Sequence, residues 1–172
     1  MTTFRNIARL VTAIMIIAVT SISLNAQAAS PTNQSASIVI SITLEKSTVT
    51  VGQKPLAILI VKNVTNHNVM VSTDVASYRV HVESEKNNPP KTEFHRHLHG
   101  DFRSGDGPSL ASGPVVPSEI APGAALIQKF DLTAFYDLSE SGKYAVYIEA
   151  RDQSGIWLHS NTVELEMIPP TQ

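Results

Sequence analysis

Residues 94–101, FHRHLHGD, set three imidazoles at alternate positions ahead of a glycine, with the carboxylate of Asp101 just beyond it. Neutral imidazole and carboxylate are ligand types that suit zinc or copper(II). The pattern TEFHRHLH alternates, placing Phe94 and Leu98 on one face of a strand and Glu93, His95, His97 and His99 together on the solvent face. Strand neighbours two apart on one face lie roughly 6.6–7 Å apart and those four apart roughly 13 Å, so a flat strand brings two of the three histidines to one ion. The third joins only if the chain bends, and Gly100 is the place for a bend, with Asp101 as a further oxygen ligand. Arg96 and Arg103 count against a cation there. Two other readings stand beside the metal one: a pH sensor, since exposed imidazoles titrate near 6.5, and polar side chains tolerated at a loop edge.

No other constellation carries chemistry. The chain has no G-x-S-x-G elbow, no H-E-x-x-H helix and no phosphate-cradling glycine loop. With no cysteine it has no thiol nucleophile, no disulfide and no thiolate metal site. Catalysis is not expected. His81 falls beside Arg79 and Glu83 on a wet strand face, and His67 and His159 fall in or near turns without partner spacing, so these are read as solvated. Trp157 is read as a packing residue at the end of the core.

The elements that must position these residues are mostly strands. Arg5 and Arg9 precede an apolar run from Leu10 to Leu24, and Ala26-Gln27-Ala28 gives the small-residue spacing of a signal-peptidase site. Residues 1–29 are therefore expected to be a cleaved secretory signal and 30–37 a polar linker. Residues 38–169 are expected to form one domain in a periplasmic or extracellular setting, without membrane insertion. Cleavage removes two of the 13 basic side chains and none of the 15 acidic ones, moving the formal charge from −2 to −4. That balance argues against a nucleic-acid partner. An unknown protein or cell-envelope partner is expected instead, with no cofactor unless zinc or copper occupies the histidines.

Ile38, Ile40, Ile42 and Leu44 alternate with Ser41 and Thr43; Tyr78, Val80 and Val82 alternate with Arg79, His81 and Glu83; Leu56–Val61 is an unbroken apolar run suited to a central strand. ALIQKFDL, YAVYIEARD and NTVELEMI supply three more strands. Between them, Gly100 to Gly123 holds five of the eight glycines and four of the ten prolines, which marks a long irregular connection. Seven or eight short strands without helical periodicity predict an all-β, antiparallel sandwich. The segment Lys91–Gly123 is its expected variable surface.

APGAALIQKFDLTAFYDLSESGKYAVYIEARD, residues 121–152, resembles the end of the immunoglobulin-like domains common in bacterial exported proteins, and VTVGQKPLAILIVKNVTNHNVMV, residues 49–71, resembles their opening. The resemblance implies an immunoglobulin-like sandwich with a tyrosine corner, in which Tyr144 bonds back to the chain near Leu138. A weaker likeness to the BsuPI-type proteinase inhibitors implies an inhibitory loop such as Asp101–Val116. Asn33-Gln34-Ser35 and Asn63-Val64-Thr65 also match the N-glycosylation pattern, which has meaning only in a eukaryotic secretory route.

Overall fold

The computed structural model describes residues 37–107 and 117–171. The expected leader and nearly all of the expected linker lie outside those residues. Ten strands follow in chain order: β1 (Ile38–Leu44), β2 (Thr48–Thr50), β3 (Leu56–Asn63), β4 (Val69–Ser72), β5 (Tyr78–Glu83), β6 (Pro117–Ile120), β7 (Ala125–Asp131), β8 (Gly142–Arg151), β9 (Trp157–His159) and β10 (Val163–Ile168). Among the described residues one α-helix, α1 (Glu93–His99), sits between β5 and β6, and single 3-10 turns lie at Val75–Ser77 and Leu132–Ala134.

A three-stranded sheet runs β1-β3-β7 and a five-stranded sheet runs β2-β10-β8-β5, with β9 added to β8; β4 and β6 form a separate ribbon. Alternation decides the burial. Ile38, Ile40 and Ile42 of β1, Ala57, Leu59 and Val61 of β3, and Phe130 of β7 point inward from the first sheet. Tyr78, Val80 and Val82 of β5, Val146 and Ile148 of β8, and Leu165 and Met167 of β10 meet them in one hydrophobic cluster. Each Val, Leu, Ile, Phe or Met side chain among them taken fully out of water contributes about 1.5–3 kcal/mol, so this shared core holds the layers together. The result is an all-β, immunoglobulin-like sandwich, antiparallel except where β2 runs parallel to β10.

Several expectations are corrected. FHRHLH is helical rather than extended, and the connection Gly100–Gly123 is not wholly irregular, since it contains β6. The described residues form ten strands rather than seven or eight because β2, β6 and β9, of three or four residues each, are too short to show a period of two. Trp157 lies on β9, part-exposed, and is absent from the core cluster.

Asn63 explains why the N-x-T stretch reads as a motif of the fold. The residue is fully buried at the end of β3. Its Nδ2 donates to the carbonyls of His67 at 2.7 Å and Ile120 at 2.9 Å, and its Oδ1 accepts from the backbone N–H of Thr65 at 2.8 Å and the Thr65 hydroxyl at 2.7 Å. The amide shapes the turn and ties it to β6, which leaves no room for a glycan. The Tyr144 hydroxyl donates to the carbonyl of Glu140 at 2.9 Å, two residues past the expected point at Leu138, whose side chain is in the core.

Candidate functional site

The helix forms because its ends are capped. Thr92 is the N-cap, its hydroxyl accepting the backbone N–H of His95 at 3.1 Å, and Gly100 closes the other end at φ 70°, a left-handed conformation that glycine adopts without strain. Phe94 and Leu98 are four apart, a spacing that shares a face in a helix as well as in a strand, and that ambiguity hid α1. The caps were the available signal.

Two anchors hold α1 down. On one side the Thr92 N–H donates to Phe135 O at 2.9 Å, the Thr92 hydroxyl to Ala134 O at 2.6 Å, and Phe94 packs edge-on to Phe135 with ring centres 5.5 Å apart. On the other, the Arg96 guanidinium forks onto Asp106, Nε to Oδ2 at 3.0 Å and Nη2 to Oδ1, while Nη1 donates to the Lys91 carbonyl at 2.7 Å. Arg96 bonding, reinforced by the Arg103 backbone N–H, holds the Asp106 carboxyl well below the usual carboxylate range. Gly107 N–H donates to Glu93 Oε1 at 2.6 Å. The Arg96 charge that argued against a cation is therefore already neutralised. Residues 101–107, the described part of the candidate inhibitory loop, fold back on the helix; 108–116 lie outside the described residues.

The helix turns the three histidines in different directions from those of a strand. His95 and His97 are buried, not solvent-facing, at 4% and 9% exposure. His95 and His99, one turn apart, meet with ring centres 4.8 Å apart. His97 stands apart from that pair, 5.2 Å from the Phe102 ring and 3.8 Å from Glu93 Oε1. His95 Nδ1, His97 Nε2 and His99 Nε2 are all buried atoms without a hydrogen-bond partner. Burial, with His99 and Lys91 adding positive charge, pushes His95 down to about 4; burial, with Arg79 and Lys91, pushes His99 down as well. Both rings are neutral at pH 7. Among the described residues no group of three or more His, Asp or Glu side chains is arranged to hold a metal ion.

A second cluster was not legible in the sequence. The β5–β8–β9 register sets Arg79, Glu149 and His159 in one cross-strand row and His81 beside Tyr147 in the next. The Glu149 carboxylate is almost wholly buried and takes an imidazole on each oxygen: His81 Nε2 at 2.9 Å from Oε2 and His159 Nε2 at 3.0 Å from Oε1. His81 lies flat on Tyr147, ring centres 4.4 Å apart and planes 3° apart, and the Arg79 guanidinium sits 4.1 Å over the Trp157 ring. His81 and His159 are thus partnered rather than merely solvated. Alternation showed which face His81 takes, but its partner is 68 positions away, and only the register brings them together. A cleft of about 770 Å³ elsewhere is ringed by Glu83, Glu85, Glu140 and Glu164 with Lys86 and Lys143, and contains no imidazole.

No protein-family model and no curated protein matches this chain. Solved structures similar to it include the CARDB domain of a Pyrococcus furiosus protein, in a crystal structure with di-metal ions, at 10% identity and TM-score 0.44, covering 78% of this chain and 96% of that one. A solution structure of the same domain gives 11% identity and TM-score 0.40, over 77% and 95%. A β-glucosidase of Erythrobacter marinus gives 10% identity and TM-score 0.43, with 77% of this chain matching 16% of that one. The likeness to BsuPI-type inhibitors has no family match behind it.

Proposed function

We propose that this protein is an exported, non-enzymatic binding module, and that its contact surface is the outer face of β5, β8 and β9. The observation that carries this reading is the concentration there of Trp157, Tyr147, Arg79 and Arg151, the residue types that dominate binding energy in protein interfaces, around the Glu149 carboxylate. Arg79 keeps 47% of its side chain exposed and His159 64%. The expected partner is a protein of the cell envelope, in line with the N-terminal leader pattern; the acidic balance fits no nucleic acid.

The geometry is rigid where an interface needs it. Paired strands fix the backbone, Tyr147 donates its hydroxyl to Glu83 Oε1 at 3.1 Å, and the guanidinium over Trp157 holds the indole in place, so little side-chain freedom is lost on docking. The test is site-specific photo-crosslinking in cells, with a benzophenone side chain at position 157 and, on the opposite sheet, at the exposed position 127. A discrete adduct with another polypeptide is expected from 157 and not from 127. No adduct at 157, or adducts of equal yield from both, would overturn the assignment of this face.

A further inference from the structure

Three features beyond the residues of the proposed contact invite a function: the apolar outer face of the three-stranded sheet around Val39 and Ile127, the acidic cleft beside Glu140 that adjoins that contact at Glu83, and the buried imidazoles of α1. Nothing shows what would cover the first, and the second is open to solvent with its carboxylates partly countered by lysines. The third contains unmet bonding capacity. Buried polar atoms in folded proteins nearly always have a partner, and a buried ring nitrogen without one asks what would satisfy it.

We propose that His95 and His99 form a two-histidine seat for a borderline transition-metal ion, zinc or copper(II), with water or a partner's ligand completing the coordination. The pair lies one helical turn apart, which puts both rings on one face. Two imidazoles bound to one ion through nitrogens about 2.0–2.1 Å away, at angles of about 90–109°, have ring centres about 4.5–5.2 Å apart, and the 4.8 Å found here falls in that range. Each ring brings a buried nitrogen with no hydrogen-bond partner, His95 Nδ1 and His99 Nε2. His99 is part-open to solvent and gives an ion its way in, while His95 is 4% exposed and forms the floor.

The cations around the seat oppose an ion, and each of the nearest has an anionic partner that tempers it. Arg96 is taken up by Asp106, Lys91 is 3.2 Å from Asp101 Oδ2, and Arg79 sits over Trp157, near Glu149. His97 is excluded, since it packs beside Phe102 rather than with the pair. The seat supplies two ligands, in agreement with the absence of any three-ligand group among the described residues.

The experiment titrates the full chain with zinc(II) and with copper(II), following stoichiometry by equilibrium dialysis and copper ligation by electron paramagnetic resonance. One ion per chain is expected, with nitrogen hyperfine structure from two imidazoles. His99→Ala, at a part-exposed position, should weaken binding by at least about tenfold, as removal of a ligand does at least as much as loss of its supporting partner. His97→Ala should bind as the parent does. Circular dichroism confirms that both variants fold, and His99→Gln replaces His99→Ala should the latter not. The proposal is overturned by no binding below about 100 µM free ion, by equal losses in His97→Ala and His99→Ala, or by binding that disappears only in His81→Ala or His159→Ala.

Discussion

The two histidine clusters solve one problem in opposite ways. On the β5–β8–β9 face, His81 and His159 are part-exposed and share one carboxylate, an imidazole on each of its oxygens. Under α1, His95 and His97 are buried and have ring nitrogens that bond to nothing. A strand face fixes cross-strand neighbours through register and can set a glutamate between two imidazoles. In the helix the i and i+4 neighbours His95 and His99 are both imidazoles, while His97 has only Glu93, 3.8 Å away. The paired face is built to be stable as it stands; the helical one loses stability once His95 takes up a proton.

The sharpest way to break that contrast is to release the helix. Arg96→Ala removes the fork on Asp106 and strands a largely enclosed carboxylate, which is the damaging half of losing a buried ion pair. Its fall in unfolding midpoint should exceed that of any single substitution among the histidines or at Glu149. The double variant Arg96→Ala, Asp106→Ala should recover part of the loss, because the carboxylate goes too. Equal midpoints for parent, single and double variants would mean that the fork does not hold α1.

Acid should be the next largest perturbation. His95 has its folded pKa near 4 and an unfolded value near 6.5, so between those values the unfolded chain binds more protons and stability must rise with pH. The contribution is complete above about pH 6.5, falls as pH drops toward 4, and changes no further below. The groups around the ring are His99, Lys91 and His81, all of the sign that resists protonation, with Tyr136 packed 5.0 Å away. Allowing for solvent reached past His99, the loss is about 1–3 kcal/mol. Urea unfolding at pH 7, 5.5 and 4 measures it, and hydrogen exchange should show the amides of 93–99 opening first. A flat profile from 7 to 4 would contradict the buried, neutral state of His95.

On the sheet face, Glu149→Gln keeps the shape and one acceptor but turns the other side of the group into a donor facing an imidazole. A loss of about 0.5–1.5 kcal/mol is expected by denaturant unfolding at pH 7, in line with one compromised hydrogen bond. A loss as large as that of Arg96→Ala would show that this face, and not the helix, is the fragile region.

How much of this was legible depended on whether the information is local. The strands Tyr78–Glu83 and Gly142–Arg151 announce themselves because a period of two runs through each, and the inward residues Val80, Val146 and Ile148 are fully buried as that period requires. The helix was hidden because Phe94 and Leu98 satisfy both periods, so only Thr92 and Gly100 distinguished them. Glu149 reads as an ordinary outward strand residue until the register of three strands sets Arg79, His81 and His159 around it. Asn63 looked like a sequon, yet its meaning depends on the carbonyl of Ile120, 57 positions on. Faces were local properties; partners were not.

The smallest expected effect is the one that separates the clusters most cleanly. His95→Leu puts an apolar side chain of similar volume where an imidazole now has an unpaired nitrogen, and exchanging an unsatisfied polar group for an apolar one of similar shape is close to neutral or mildly favourable. At pH 7 the midpoint should move by less than about 1 kcal/mol equivalent, in either direction. At pH 4 the variant should exceed the parent by most of the acid loss, because the group that takes up the proton on unfolding has gone. The same substitution at His81 should behave differently, since it deprives Glu149 Oε2 of its donor at 2.9 Å and leaves a nearly enclosed carboxylate with one imidazole in place of two. Parallel urea curves for the two variants at both pH values would then read out, in sign as well as size, which imidazoles are there to partner a carboxylate and which are held with one ring nitrogen unpaired.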